Sequence, residues 1–395
     1  MSNPRRNSES ILWSAGLVTA LAICGCSGSV GTGGQTGSST GGASGAGGPI
    51  SGTGGAVAGT GGTGVPGTGG SGVPGIGGST ATGGSTGTGG SARDGGGVTD
   101  AAGRVDAAVM GSGRSAGCGT MPTIPSANYN NGHHIAITVG TMAREYILNV
   151  PTNYDNSHPY KFIIAYHELN GNDDEMFRNQ YYHLLPLANN TAIFVAPNGQ
   201  QNNANCTQAG GCGWPNPQNT DLAFADALVA QIEQNFCVDT NRIFATGWSF
   251  GGSMSYKTAC ERPLGGVSNG YIRAIAVYSG SQLSGNCTPT KPVAYYASHG
   301  TVDSVLCYDQ TRAAGCAVGN GVSLAQNFSM ANGCTFMTPT KVTSGNHVCT
   351  SMTGCMTGYP VEFCSFNGPH TPDPMDPGQR TSWEYQNVWD FLSQF

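Results

Sequence analysis

The sequence predicts one α/β domain, a mostly parallel twisted sheet with helices on both faces, preceded by a disordered glycine-rich linker. Three observations point there. Short apolar runs alternate with helix-period patterns from residue 160 to the end. Two alternating segments precede them, as an antiparallel hairpin would. Of 64 glycines, most of the excess lies before residue 117, which leaves about 280 residues from Cys118 onward, enough for one large core.

The chain opens with a targeting signature. Arg5 and Arg6 precede an apolar stretch, Ile11 to Ile23, that is too short for a stable membrane span. The stretch ends at Leu21-Ala22-Ile23-Cys24-Gly25-Cys26, which resembles a bacterial lipobox. The expectation is a signal peptide over residues 1–26, with Cys26 as the lipidated first residue of the mature chain. Ser27, rather than Asp, favours the outer membrane; an ordinary cleaved signal peptide is the competing reading. Residues 27–115 are Gly, Thr, Ser and Ala with scattered Pro, and have almost nothing to bury. They read as a flexible tether, whose r.m.s. reach would be on the order of 50 Å.

Charge and cysteine content narrow the class. The formal net charge is -6, only 10% of residues are charged, and no basic run follows Arg5-Arg6, so nucleic acid is not an expected partner. Of 14 cysteines, two lie in the signal and the other twelve fall between Cys118 and Cys364. An even number in an exported chain reads as disulfides, with local pairs such as Cys206–Cys212 and Cys349–Cys355 suggested by spacing. No Cys-x-x-Cys pair or histidine cluster supports zinc instead.

The domain is expected over residues 116–395. Residues 134–139 and 143–150 form the hairpin, and 160–166 and 192–196 are buried strands. Residues 221–236 are helical, with Leu222, Ala225, Leu228, Val229, Ile232 and Phe236 on one face. Strands follow at 243–246, 272–278, 292–297 and 361–366, with helices at 252–260, 322–332 and 382–395.

One stretch organises this domain. Gly247-Trp248-Ser249-Phe250-Gly251 is a G-x-S-x-G between an apolar strand and a helix, the context this motif needs. The same pattern around Ser85 and Ser115 has no strand before it. A serine needs a base to take its proton and an acid to orient that base. Asp303 follows the seventh strand and His370 follows the last, which is the Ser, Asp, His order of α/β-hydrolases. Asp309 and Asp373 rival Asp303, and His347 rivals His370. His299 is better placed to support the Asp303 loop than to act as base. The oxyanion hole needs two convergent N–H donors. The expected pair is Phe250, just after the nucleophile, and Leu169 in the loop after the third strand, with Glu168 the alternative.

These stretches resemble the feruloyl and acetylxylan esterases of carbohydrate esterase family one, close also to polyhydroxybutyrate depolymerase-like proteins. The resemblance rests on Ala196-Pro197-Asn198-Gly199 with Gly213-Trp214, and on Asn235 to Ile243. It rests further on Gly247 to Gly252, His299 to Asp303, and Val361 to His370. It covers residues 116–395 and not the tether. It implies a serine esterase with the triad Ser249, Asp303 and His370, acting on feruloyl or acetyl esters of plant cell-wall polysaccharide such as xylan. It implies no cofactor and no metal. A secreted or outer-membrane lipoprotein, monomeric and held at the membrane by its lipid, is the expected setting. The family usually shows His-Gly or His-Trp after the third strand, where this chain has Glu168 and Leu169 after His167. Tyr166, Trp214 and Trp248 are candidate contacts for a phenolic acyl group, with core packing the competing role for Trp248. A hydroxyalkanoate depolymerase would use the same triad. A tethered glycan-binding lipoprotein would need no acid and base in this order.

Overall fold

The computed structural model describes residues 113–200, 213–266, 270–316, 318–335 and 338–395. The expected signal peptide with Cys26, the linker up to residue 112 and the Cys206–Cys212 pair lie outside the described residues. Among the described residues, no helix is long and apolar enough to cross a membrane.

A nine-stranded sheet forms the framework. Its strands are β1 (His134–Val139), β2 (Met142–Asn149), β3 (Tyr160–Tyr166), β4 (Ala192–Pro197) and β5 (Val238–Trp248). They continue with β6 (Ile272–Tyr278), β7 (Ala294–Gly300), β8 (Val348–Ser351) and β9 (Val361–Phe366). The spatial order is β1-β2-β4-β3-β5-β6-β7-β9-β8. The run from β4 to β9 is parallel. The β1–β2 hairpin and β8 close its two sides in antiparallel fashion. This is the mostly parallel sheet expected, in an α/β-hydrolase arrangement.

Among the described residues, six α-helices cover the sheet: α1 (Asp173–Arg178), α2 (Gln180–Ala188), α3 (Thr220–Asn235), α4 (Phe250–Glu261), α5 (Gly321–Ala331) and α6 (Glu384–Ser393). Strand periodicity decides which face each residue serves. Phe162, Ile164 and Tyr166 of β3, with Ile243 and Ala245 of β5, pack under α3, α4 and α5. Ile163, Ala165 and Phe244 point the other way, towards α1, α2 and α6. Both faces of the central strands are therefore apolar, and their sequence reads as continuous hydrophobic runs.

The chain departs from expectation in places that matter. β7 runs through His299 to Gly300, so His299 lies within the strand rather than after it. β8, α1 and α2 have no counterpart in the sequence reading. The expected Cys349–Cys355 pair does not form: Cys349 bonds Cys364 and Cys355 bonds Cys334. The physical reason is register. Antiparallel pairing of β8 with β9 sets Cys349 directly opposite Cys364. The Thr335–Thr353 bridge meanwhile brings Cys355 against the segment after α5. Cys118–Cys237, Cys260–Cys287 and Cys307–Cys316 are also bonded.

A buried ion pair ties the hairpin to the segment that enters α3. Arg144 Nη1 lies 2.9 Å from Asp221 Oδ1, and both side chains are fully enclosed. Asp221 Oδ2 accepts the backbone N–H of Asn216 at 2.8 Å, and Arg144 donates to the carbonyl of Asn198 at 3.1 Å. Burial lowers the Arg144 pKa and raises that of Asp221, and the mutual attraction only partly offsets each shift.

Candidate active site

Strand order reverses between β3 and β5, since β4 lies on the far side of β3. In open parallel sheets, the crevice beyond the strand ends at such a reversal is where ligands bind. The loops after β3 and β5 meet there.

Ser249 occupies the sharp turn from β5 into α4, at φ 57° and ψ -116°. Such a backbone is costly for a non-glycine residue and persists only when its surroundings hold it. Its N–H is held by the carbonyl of Tyr278 at 2.9 Å. Its carbonyl accepts both the N–H and the hydroxyl of Ser253, each at 3.0 Å. Glycine on each side makes the turn possible through close approach. A Cβ on Gly247 would stand 2.3 Å from Gly251 C, and one on Gly251 would stand 2.0 Å from Tyr166 O. Ser115, by contrast, is a structural residue whose Oγ donates to Phe236 O.

Asp303 and His370 arrive from the ends of β7 and β9. His370 Nδ1 lies 2.7 Å from Asp303 Oδ2. The two loops can touch because residue 300 is glycine: a Cβ there would stand 2.2 Å from Gly368 O. Asp303 is completely buried. Its Oδ1 accepts the N–H groups of Val305 and Leu306 at 2.8 and 2.9 Å. Burial alone would raise its pKa, but the hydrogen bonds from His299 and His370 outweigh that and hold it well below the usual carboxylate range. His299 Nε2 donates to Leu306 O at 2.9 Å and also lies 3.3 Å from Asp303 Oδ2. It therefore braces the acid and does not reach towards Ser249.

The ring of His370 lies on that of Trp248, centroid to centroid 4.9 Å, which brings it beside the residue preceding Ser249. His370 Nε2 is buried with no hydrogen-bond partner among the described residues. A histidine so arranged has its Nδ1 proton held by a carboxylate and the other nitrogen unengaged, as a proton acceptor requires. The rivals are occupied elsewhere. Asp309 bonds Lys341, Asp373 accepts from Tyr385, and His347 pairs with Asp376 while stacking on Trp383.

Phe250 is the first residue of α4, so its N–H has no acceptor within the helix. The loop after β3 lies against the same helix start, since the carbonyls of Tyr166 and His167 crowd Gly251. That loop is braced from within. His167 Nδ1 donates to Glu168 O at 2.7 Å, and His167 Nε2 accepts the N–H of Gly199 at 2.9 Å. Burial pushes the His167 pKa down to about 4, so its imidazole is neutral at ordinary pH. Leu169 is exposed beyond it. Burial pushes the Glu168 carboxyl up to about 7, with Glu175 and Asp373 adding to the effect.

Two of the expected acyl contacts are corrected. Tyr166 and Trp214 are 1% and 0% exposed and present no surface to a ligand. Their rings pack edge to face at 4.9 Å. Tyr166 Oη is bonded to Thr258, and Trp214 Nε1 donates to His167 O. Their role is to hold the loop after β3 in place. Trp248 stays half-buried beside His370. The sequence reading also missed Tyr182 of α2, whose hydroxyl donates to Tyr166 O at 2.8 Å and accepts the N–H of Trp248 at 3.0 Å. One side chain thus joins the ends of β3 and β5, and nothing in its local sequence signals this.

No protein-family model matches the chain. Curated relatives do. Feruloyl esterase D of Neurospora crassa is 32% identical over 300 residues, covering 73% of this chain and 93% of its own. The chain belongs to the feruloyl esterase family. Feruloyl esterase C of Emericella nidulans is 35% identical over 288 residues, covering 70% of this chain and 90% of its own. A solved acetyl xylan esterase from Aspergillus awamori aligns over 66% of this chain and 99% of its own, at 14% identity and a TM-score of 0.46. This feruloyl esterase family member is a carboxylic ester hydrolase.

Proposed function

We propose that the chain is a serine esterase that releases hydroxycinnamic acids, ferulate above all, from ester-linked plant cell-wall polysaccharide. The observation that carries the chemistry is the His370–Asp303 contact at 2.7 Å, set beside the strained Ser249 turn. The substrate class follows from what the relatives are named for. Ser249 attacks the ester carbonyl while His370 Nε2 takes its proton. Asp303 holds the imidazole in the required tautomer and stabilises the imidazolium. The oxyanion that forms faces the N–H of Phe250 and a second N–H from the loop after β3, that of Leu169 or Glu168. The sugar hydroxyl leaves with a proton from His370, and water hydrolyses the acyl-enzyme by the same route in reverse. Trp248 supplies an aromatic surface for a phenolic acyl group.

The remaining organisation is proposed with it. Residues 1–26 direct export, Cys26 carries the lipid, 27–115 form a leash and 116–395 the catalytic domain. The lipid holds a secreted monomer at the outer membrane, within reach of a bulky polysaccharide.

Steady-state hydrolysis of methyl ferulate, acetylated xylan and a hydroxybutyrate oligomer, wild type against Ser249→Ala, tests this reading. Ferulate release that disappears in the variant supports it. Turnover of acetate or hydroxybutyrate alone retains the mechanism and replaces the substrate. Full activity in the variant overturns the site.

A further inference from the structure

At the β1–β2 side of the sheet, three ligand-type side chains meet that the sequence keeps apart. The hairpin register pairs His134 with Ile147 and Ala136 with Glu145, so His134 and Glu145 are diagonal neighbours on one face. Asp173, the first residue of α1, comes up against the same spot. His134 Nδ1 lies 3.2 Å from Asp173 Oδ2 and 3.5 Å from Glu145 Oε1. One ligand atom from each of the three lies within 4.8 Å of the others.

Two features distinguish this from a surface ion pair. Asp173 is 1% exposed, and its Oδ2 has no hydrogen-bond partner among the described residues. Its nearest polar neighbour is His134 Nδ1 at 3.2 Å, which offsets the cost of burying a carboxylate oxygen only when the imidazole is protonated, whereas a metal ion does so with the imidazole neutral. The spacing is the second feature. Ligands at 2.0–2.2 Å around a tetrahedral zinc stand about 3.3–3.6 Å apart, which is close to the two separations from His134 Nδ1. The outer partners also fit. His134 Nε2 faces Asp174 Oδ1 at 3.5 Å, where a carboxylate would orient a metal-bound imidazole. Asn198 Nδ2 donates to Glu145 Oε1 at 2.8 Å and fixes that side chain.

We propose that His134, Glu145 and Asp173 form a zinc site, with water completing the tetrahedron on the exposed side of His134. One imidazole and two carboxylates suit zinc better than calcium or magnesium, which prefer six or more oxygens. Three protein ligands and a water leave one position open, unlike a closed four-ligand zinc site, and the ion's effect is to hold the chain. Asp173 follows directly on the loop that leaves β3, so zinc ties the exit of that loop to the hairpin. The site stands independently of the ester chemistry and of the substrate assigned above.

The test is zinc content and thermal stability of the untagged full chain after chelation and re-addition of Zn²⁺ at pH 7.5. The expected result is about one zinc per chain and a melting temperature that rises with Zn²⁺ but not with Ca²⁺ or Mg²⁺. Glu145→Gln, a half-exposed position where the fold should persist, and His134→Ala each remove a direct ligand and should weaken zinc affinity by more than the roughly 10–100-fold that loss of an outer partner costs. No zinc above background with an unchanged melting curve overturns the proposal. So does zinc binding that both variants retain, or stabilisation by Ca²⁺ or Mg²⁺ alone.

Discussion

His370 Nδ1 and Asp303 Oδ2 lie 2.7 Å apart, and the other carboxyl oxygen of Asp303 is already taken by the N–H groups of Val305 and Leu306. The aspartate therefore has one oxygen to orient the histidine and one to hold its own loop. Asp303→Asn would keep the shape but offer an N–H where His370 needs an acceptor, forcing the wrong imidazole tautomer. The expected outcome is a fall in kcat of about 10³–10⁴ with a folded protein, checked by steady-state kinetics beside a circular dichroism spectrum.

Burial pushes the Glu168 carboxyl up to about 7, in the loop that carries the candidate oxyanion donors. Its negative form disfavours charge developing on the substrate oxygen, and its neutral form does not. Glu168→Gln should therefore raise kcat/KM relative to wild type above pH 7, by several-fold, and leave it nearly unchanged at pH 5.5. A pH–rate profile of both proteins decides this, and parallel curves would count against it.

Glu384 is buried at the start of α6, where neither carboxyl oxygen makes a hydrogen bond of normal geometry; Ser298 and Tyr296 are its polar neighbours. Burial pushes its pKa up from 4.5 to about 8. Between these values the folded chain holds a proton that the unfolded chain has released, so stability is full below 4.5 and declines as pH rises to 8. The loss amounts to about 1.4 kcal/mol per pH unit traversed. Glu384→Gln should match wild type near pH 4.5 and exceed it increasingly up to pH 8, as thermal melts across that range would show.

Cys118–Cys237 closes a separation of 119 residues, and Cys307–Cys316 one of 9. In the chain-entropy account, the longer loop contributes about 2 kcal/mol more. Replacing both cysteines of the first pair by serine should lower the denaturation midpoint more than the same change in the second. Urea titrations of the two double variants check the order.

The central strands were legible because both their faces are buried, so Tyr160–Tyr166 and Ile272–Tyr278 read as unbroken apolar runs. Ser249, Asp303 and His370 stood out because a strained turn needs its glycines and because strand ends in a parallel sheet deliver their loops to one side. The elements that escaped lack such signals. β8 is four residues long and exists through its pairing with β9. α1 has six residues, and α2 contains Pro186 and three aromatic rings. The roles of Tyr166 and Trp214 were misread because an aromatic residue near a motif says nothing about which way its ring turns. His134, Glu145 and Asp173 meet through register and topology, neither of which is written in local spacing.

A sheet of nine strands has to end, and an open end offers unpaired N–H and C=O groups on which another chain can build. On one side this sheet ends in β8, whose Cys349 is bonded to Cys364 directly across the ladder. So short a strand presents few free groups, and the cross-link stops it from peeling back to uncover the longer strand behind. β8 works as a sewn hem, guarding the molecule against strand-by-strand self-association where many copies crowd together.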